Sequence, residues 1–228
     1  PFNNSLEIDF KDSENLRIFK KFTNKSSVLE LGVGNGNFLI KLNNLNYSCF
    51  CIEPFSQITK KLKQYKINVI ESKLEDLNFS KLNFKVDIIY SWHSIEHLHN
   101  LQIFMKLCDK VLNKNGRIVL STPNKNSLSY MFYGKYWYHL EAPRHNFLID
   151  QNELIKKFKE RNYIVEKSVL NYSSIIMSKY GWETSGYYKK KSLGGKYHSY
   201  LGKFLSYFMP YIEFFFNRTA QTTLILKK

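Results

Sequence analysis

The sequence predicts an α/β protein built on a doubly wound, mostly parallel sheet of seven strands. Three observations support this prediction. Short apolar runs alternate with helical stretches, the runs before residue 124 do not alternate apolar with polar residues, and the first run leads into a glycine-rich turn. Strands separated by helices of about ten residues form βαβ units, and strands without alternation are covered on both faces. We therefore expect a sheet with helices on both sides.

Seven apolar runs are the candidate strands. They lie at residues 26–32, 47–54, 67–72, 86–92, 116–123, 163–170 and 222–228. The stretches "NFLIKLNNL", "FSQITKKLKQY" and "HNLQIFMKLCDKVL" are the candidate helices between them. A further helix at residues 151–162 has Leu154, Ile155 and Phe158 at helical spacing. Asp150 precedes it in the position of an N-cap, so this helix has both an apolar face and a defined start.

Residues 171–220 form a segment that a minimal α/β domain does not need. The segment contains "KKK" at residues 189–191 and "YLGKFLSYFMPYIEFFF" at residues 200–216. Lys203, Pro210 and Glu213 interrupt the apolar stretch, which is too short to span a bilayer comfortably. We expect a helical, aromatic-rich insertion that closes over the core, forms a homodimer face or lies on a membrane surface. The main domain is then residues 1–170 and 221–228.

The composition indicates which classes of partner and which cellular compartment are expected. The formal net charge is +15, from 34 Lys plus Arg against 19 Asp plus Glu. This charge attracts nucleic acid, an anionic membrane or a phosphorylated substrate, but arginine, which nucleic-acid interfaces cluster, is scarce. The three cysteines are too few for a disulfide framework, and no basic start precedes a long apolar run. We expect buried reduced thiols and a cytoplasmic protein, with contact to the inner membrane face as the alternative.

The glycine-rich turn in "VLELGVGNGNF" is a candidate nucleoside-binding loop. Its glycines are Gly32, Gly34 and Gly36. The dinucleotide fingerprint G-x-G-x-x-G does not match, because residue 37 is Asn. Glu30, two positions before the first glycine, would repel a pyrophosphate and suits a ligand with a positive amino or sulfonium group. Glu53 ends the second run, where a carboxylate can accept two hydrogen bonds from a ribose diol.

The order of motifs along the chain is specific. It consists of "VLELGVGNG", "CIEP", "ESKLEDL", "VDIIYSWHSIEHL" and "NKNGRIVLSTPN", all within residues 26–124. This order resembles the class I S-adenosylmethionine-dependent methyltransferases, whose fold is Rossmann-like. A second block, "YWYHLEAPRHNFLIDQNEL" at residues 136–154, resembles a subgroup whose members commonly methylate small metabolites, sugars, glycans or quinone precursors.

The resemblance implies a cofactor site for S-adenosyl-L-methionine. The glycines would let the backbone approach the cofactor, Glu30 would lie near its methionine amino end, and Glu53 would hold the ribose. The family often has Asp where Lys73 stands, so we assign the adenine contact to the Leu74 backbone and the Glu75 side chain instead. The implied cofactor-binding residues are Glu30, Gly32, Gly34, Gly36, Glu53, Leu74, Glu75, Ser91 and Trp92.

Methyl transfer to a hydroxyl oxygen needs alignment and benefits from a base. A histidine, with an ordinary pKa of about 6.5, suits this task near neutral pH. We prefer His145 as the base because its block is expected to cover the acceptor, and His97 competes with it. Arg144 is expected to hold an acceptor phosphate or carboxylate. The alternative is that Arg144 and His145 only anchor the loop.

Further side chains are candidates for acceptor or metal contacts. Asn124 and the Trp137 ring are expected to contact the acceptor, and a turn residue and ordinary loop packing are the alternatives. His93, Glu96 and His97 could ligate a transition metal if a helix begins near residue 94. The resemblance implies that quinone-pathway relatives have a Glu-x-x-Glu-His set at this place. We favour a border of the cofactor pocket for these three residues and assign no metal.

The predicted function is that of an S-adenosylmethionine-dependent O-methyltransferase. The preferred acceptor is the hydroxyl of a sugar, nucleotide-sugar or glycan, and a lipid-linked or quinone acceptor is an alternative. RNA methylation is less favoured, because the Asn/Asp-Pro-Pro-Tyr/Phe tetrapeptide is replaced by "STPN". A non-enzymatic cofactor-binding scaffold that pairs with an active partner through residues 200–216 is the remaining alternative.

Overall fold

A computed structural model of the chain describes residues 16–19, 26–169 and 172–228. The strands in this part form one seven-stranded sheet in the order β3-β2-β1-β4-β5-β7-β6. They are β1 Ser27–Leu31, β2 Ser48–Ile52, β3 Asn68–Ile70, β4 Val86–Trp92, β5 Leu112–Pro123, β6 Ile164–Val169 and β7 Gln221–Lys227. The predicted fold class is confirmed, and each strand overlaps a predicted run.

Eight α-helices join these strands in the described residues. They are α1 Asn37–Asn44, α2 Ser56–Gln64, α3 Leu101–Val111, α4 Leu128–Tyr133, α5 Gln151–Lys159, α6 Tyr172–Leu193, α7 Tyr197–Leu205 and α8 Met209–Phe215. The predicted cap of α5 is present, because the backbone N–H groups of Asn152 and Glu153 donate to Asp150 Oδ1 at 2.9 and 3.4 Å. The side chain of Asn100 caps α3 in the same way by accepting from the Gln102 N–H.

The first four strands place their carboxyl ends at one edge of the sheet. Strand β1 pairs in parallel with β2 on one side and with β4 on the other, so that Glu30 lies between Cys51 and Tyr90. Strand β3 continues the sheet in parallel beyond β2. The order of strands therefore reverses at β1, and doubly wound sheets bind ligands outside the carboxyl ends of strands at such a point. This edge is where the glycine-rich turn begins.

The chain divides into two compact units. The first comprises Pro1–Leu120, Phe158–Lys167 and Leu224–Lys228, and the second comprises Ser121–Lys157 and Ser168–Thr223. The expected insertion at residues 171–220 is helical, as predicted, and forms α6, α7 and α8. The same compact unit also contains residues 121–157. The predicted boundary between residues 170 and 171 lies outside the described residues.

The second unit has its own small core, and its helices approach closely. Tyr133, Trp137 and Trp182 are buried together in this core. Helices α6 and α7 meet at Gly186 and Gly202, where a Cβ on Gly186 would lie 2.8 Å from the Gly202 Cα. A larger residue at either position would push the helices apart. No helix in the described part of the chain combines the length and apolar character needed to cross a bilayer.

The cysteine thiols are buried in the first unit. Cys49, Cys51 and Cys108 are all free, as predicted. Burial, together with the nearby Glu30 carboxylate, raises the pKa of Cys49 and of Cys51 to about 12. Both thiols are therefore protonated near neutral pH and are poor nucleophiles.

Candidate active site

The glycine-rich turn adopts a left-handed backbone at Gly32, Gly34 and Gly36, with φ angles of 71°, 56° and 76°. A Cβ on Gly32 would lie 2.4 Å from the Ser94 Oγ, and one on Gly36 would lie 2.9 Å from a methyl carbon of Leu62. Packing alone therefore requires glycine at these two positions. A Cβ on Gly34 would meet nothing within 4 Å. The backbone at Gly34 is thus open to the close approach of a ligand.

Glu53 lies beside this turn, directly after β2. Its side chain is buried, with Oε2 accepting from the Val33 N–H at 3.1 Å and Oε1 accepting from the Phe55 N–H at 3.0 Å. These bonds fix the carboxylate at the end of the strand. A carboxylate offers about four acceptor positions, so two remain for the hydroxyl groups of a ribose diol. The geometry fits the predicted role of Glu53.

Glu30 and Tyr90 form a buried pair on neighbouring strands. The Tyr90 hydroxyl donates to Glu30 Oε2 at 2.7 Å, and both residues are buried. Burial and the Glu30 carboxylate raise the pKa of Tyr90 well above its usual value, so the phenol remains a donor. The rings of Phe19, Phe38 and Trp92 pack on Tyr90 with centroids 5.0 to 5.6 Å away. This packing excludes water from one side of the Glu30 carboxylate.

The other predicted cofactor residues follow β3 and β4. Ser91 is fully buried and donates to the Leu31 carbonyl at 3.4 Å, whereas Trp92 is half-buried. Leu74 is buried and begins a short 3-10 turn, and Glu75 accepts from the His99 N–H at 3.1 Å. All the predicted cofactor residues therefore lie in the first unit, in or directly after β1 to β4. Their individual contacts with the cofactor stay predictions.

Two contributors to this site were not predicted. Ser94 donates from its Oγ to the Gly32 carbonyl at 3.3 Å. The Lys61 ammonium donates to the Asn35 carbonyl and to the Asn37 Oδ1, both at 2.8 Å. Both side chains fasten the glycine-rich turn from elements distant in sequence. A serine after a strand and a lysine on a helix face give no local signal of such a role.

His97 lies in a short 3-10 turn, Ile95–His97, rather than in an α-helix. Glu96 is buried, and its Oε1 lies 3.3 Å from the His93 Nδ1. His97 is half-buried in the same turn. Among the described residues, no group of three or more His, Cys, Asp or Glu side chains is placed to hold a metal ion. The role of His97 as a base stays a prediction.

His145 and Arg144 lie in the second unit and contact their own loop. The His145 Nδ1 lies 2.9 Å from the His139 carbonyl, which can only accept, so Nδ1 carries the proton. The His145 Nε2 lies 3.9 Å from Glu141 Oε2. Arg144 is 73% exposed and donates to the same carboxylate at 3.0 Å. These contacts are those expected of loop anchors.

Asn124 and Trp137, predicted to contact the acceptor, use their polar groups within the second unit. The Trp137 ring is 1% exposed and its Nε1 donates to the Ser129 Oγ at 3.1 Å. The Asn124 Nδ2 donates to the Thr219 carbonyl at 2.9 Å, and its side chain is buried. The structure supports the alternative of ordinary packing for Trp137. An acceptor contact by either residue stays a prediction that requires the side chain to become accessible.

Comparison with known proteins identifies the family. A family model described as "Methyltransferase domain" matches residues 9–168. The chain belongs to the class I S-adenosylmethionine-dependent methyltransferases. The cofactor of this methyltransferase is S-adenosylmethionine, as the motifs predicted.

Relatives and solved structures agree with this assignment. The ubiquinone biosynthesis O-methyltransferase of Rattus norvegicus mitochondria is 29% identical over 46% of this chain and 32% of its own length. The enzyme of the same name from Pelagibacter ubique is 26% identical, over 70% and 68% of the two chains. A methyltransferase structure from Archaeoglobus fulgidus aligns with a TM-score of 0.63 at 15% identity and covers 100% of both chains, which shows the shared fold. The chain spans about a third of the length of the Rattus relative it matches.

Proposed function

We propose that this methyltransferase transfers a methyl group from S-adenosylmethionine to a hydroxyl oxygen of a quinone-type aromatic acceptor. The observation that carries the proposal is the similarity to relatives named ubiquinone biosynthesis O-methyltransferase. The sequence motifs alone favoured a sugar or glycan hydroxyl and placed a quinone acceptor second. The relatives reverse this order, because their names specify a quinone pathway and O-methylation.

The cofactor supplies an electrophilic methyl group on a sulfonium when it is bound. The residues of the chain have to position it and exclude water. Glu53 is held by two backbone N–H groups with acceptor positions left for a ribose diol. Gly34 leaves its backbone open to the ligand, and the buried Glu30 provides negative charge near a cationic ligand. Alignment of donor and acceptor in such a site supplies on the order of 7–11 kcal/mol of barrier reduction in favourable cases.

A phenolic acceptor reacts faster once its hydroxyl proton has been removed. We propose His145 for this step because its Nδ1–H donates to the His139 carbonyl, which orients the ring, and because a histidine suits proton transfer near neutral pH. His97 is the competing candidate, half-buried in the turn that follows β4. The two candidates make different predictions for substitution.

The cofactor site is tested by titration calorimetry with S-adenosylhomocysteine. Glu53→Gln removes the negative charge and one acceptor, so we expect an affinity about 10 to 100-fold lower. Glu160→Gln, an exposed carboxylate after α5, is the matched control and should bind as the unchanged protein does. Equal affinity of the Glu53 variant contradicts the ribose assignment, and a folded protein that binds neither S-adenosylmethionine nor its product contradicts the whole site.

The acceptor and base are tested by transfer of labelled methyl groups. We expect a catechol to become labelled and a nucleotide-sugar to remain unlabelled, and the reverse result contradicts the proposed acceptor. His145→Asn keeps a donor for the His139 carbonyl but removes the base, so kcat should fall by about 10² to 10⁴ without a change in cofactor affinity. His198→Asn, on α7, is the control. A loss confined to His97→Asn instead assigns the base to His97.

A further inference from the structure

Helices α7 and α8, with the turn between them, expose an unusual number of aromatic side chains. Six of them follow one another at spacings of three or four residues: Tyr197, Tyr200, Phe204, Tyr207, Tyr211 and Phe215. Each of these six is between 62 and 81% exposed. Tyr197, Tyr200 and Phe204 are spaced to share one face of α7, and Tyr211 and Phe215 are spaced to share one face of α8. Gly202 on α7 is buried. We call these six residues, with the cations described next, the basic-aromatic surface.

The charge of this surface has a single sign. Six cations lie between residues 187 and 218: Lys189, Lys190, Lys191, Lys196, Lys203 and Arg218. Glu213 is the single acidic residue in this range, and it is 0% exposed. Its Oε1 accepts from the Ser129 N–H at 2.7 Å, which directs it into the unit. The exposed surface between residues 187 and 218 therefore presents cations and no anions.

We propose that the basic-aromatic surface binds the interface of an anionic lipid bilayer. Tyrosine and phenylalanine place their rings at the level of lipid headgroups, and lysines beside them attract anionic lipids. The proposal does not depend on the acceptor of the methyl group.

The single sign of charge distinguishes a bilayer from a second copy of the chain. A two-fold dimer brings the same patch of both subunits together, so these cations would face each other with no carboxylate between them. An anionic bilayer complements both the cations and the apolar rings. RNA would also attract the cations, but nucleic-acid recognition favours arginine, and Arg218 is the single arginine among these six cations.

Binding of the full chain to vesicles by flotation tests this proposal. Each lysine near an anionic surface increases partitioning about fivefold, from about 1 kcal/mol. The triple substitution K189Q/K190Q/K191Q should therefore lower binding to vesicles of phosphatidylglycerol and phosphatidylcholine on the order of 100-fold. The double substitution F215S/F216S removes two exposed rings and should lower vesicle binding at least tenfold. Added salt should weaken binding, and vesicles of phosphatidylcholine alone should bind at least tenfold more weakly.

Matched controls separate lipid binding from damage to the fold. K81Q/K114Q/K125Q removes three exposed lysines elsewhere, and Ile164→Thr removes an exposed apolar side chain from β6, which is 64% exposed. Both controls should bind vesicles as the unchanged protein does, and all variants should keep its melting temperature. The proposal is overturned if the unchanged protein does not float with anionic vesicles, or if controls and test variants lose vesicle binding equally. It is also overturned if the exposed rings mediate self-association of the protein, or if RNA and not lipid binds in a lysine-dependent manner.

Discussion

The buried carboxylate of Glu213 should make the stability of this methyltransferase depend on pH. Burial raises the pKa of Glu213 from its ordinary value of 4.5 to about 7, and this effect exceeds the opposing hydrogen bonds from Ser178 and Ser129. Between these two values the folded protein holds a proton that the unfolded chain has released. The contribution of this group to the free energy of unfolding is therefore complete below pH 4.5 and is lost as the pH rises to about 7.

The magnitude follows from the two pKa values. The interval from 4.5 to about 7, at about 1.4 kcal/mol per unit, corresponds to on the order of 3 kcal/mol. Glu213→Gln keeps an oxygen that can accept from the Ser129 N–H but cannot ionise. The variant should therefore be more stable than the unchanged protein by on the order of 3 kcal/mol at pH 8, and of similar stability near pH 4.5.

Urea unfolding of both proteins at intervals between pH 4.5 and pH 8 measures this difference. All other ionisable groups are common to both proteins, so their contributions cancel in the comparison. Glu160→Gln, an exposed carboxylate, should follow the unchanged protein at every pH. A difference between Glu213→Gln and the unchanged protein that does not vary with pH would refute the argument that burial raises this pKa.

Three further substitutions test the first unit. Gly34→Ala should cost only about 1 kcal/mol of stability, since its φ is 56° and its surroundings are open, but should weaken S-adenosylhomocysteine binding at least tenfold in calorimetry. Gly32→Ala should unfold at clearly lower urea than Gly34→Ala because its Cβ would lie 2.4 Å from the Ser94 Oγ, and the opposite order would contradict the packing argument. Tyr90→Phe removes the donor to the buried Glu30 and should lower the free energy of unfolding, measured in urea, by about 1–3 kcal/mol. A loss below about 0.5 kcal/mol would show that another donor replaces this hydrogen bond.

The fold was predictable because its signals are local. Apolar runs, helical spacing and the cap at Asp150 each lie within a few residues, and the structure contains the elements that they indicate. The glycine-rich turn and the carboxylate after β2 were found in the same way. Glu53 follows a strand whose end is fixed by parallel pairing, so its distance from the turn is set by the sheet.

The contacts that complete the site were not predictable from local patterns. The Tyr90 hydroxyl reaches Glu30 across 60 positions, and the Asn124 side chain reaches the Thr219 carbonyl across 95. A tyrosine within an apolar strand and an asparagine after a proline carry no sign of such partners. The extent of the second unit has the same origin, because it combines residues 121–157 with residues 168–223, which are distant in the sequence.

The two backbone bonds of Glu53 have a consequence for ligand affinity. Val33 and Phe55 belong to loops that would otherwise lose conformational entropy when a nucleoside arrived. The carboxylate holds both loops in advance, so recognition of the sugar and rigidity of its binding loops depend on one side chain. A substitution of Glu53 therefore weakens nucleoside binding in two ways. It removes a hydrogen-bond acceptor for the ribose, and it releases the two loops that the carboxylate holds in place.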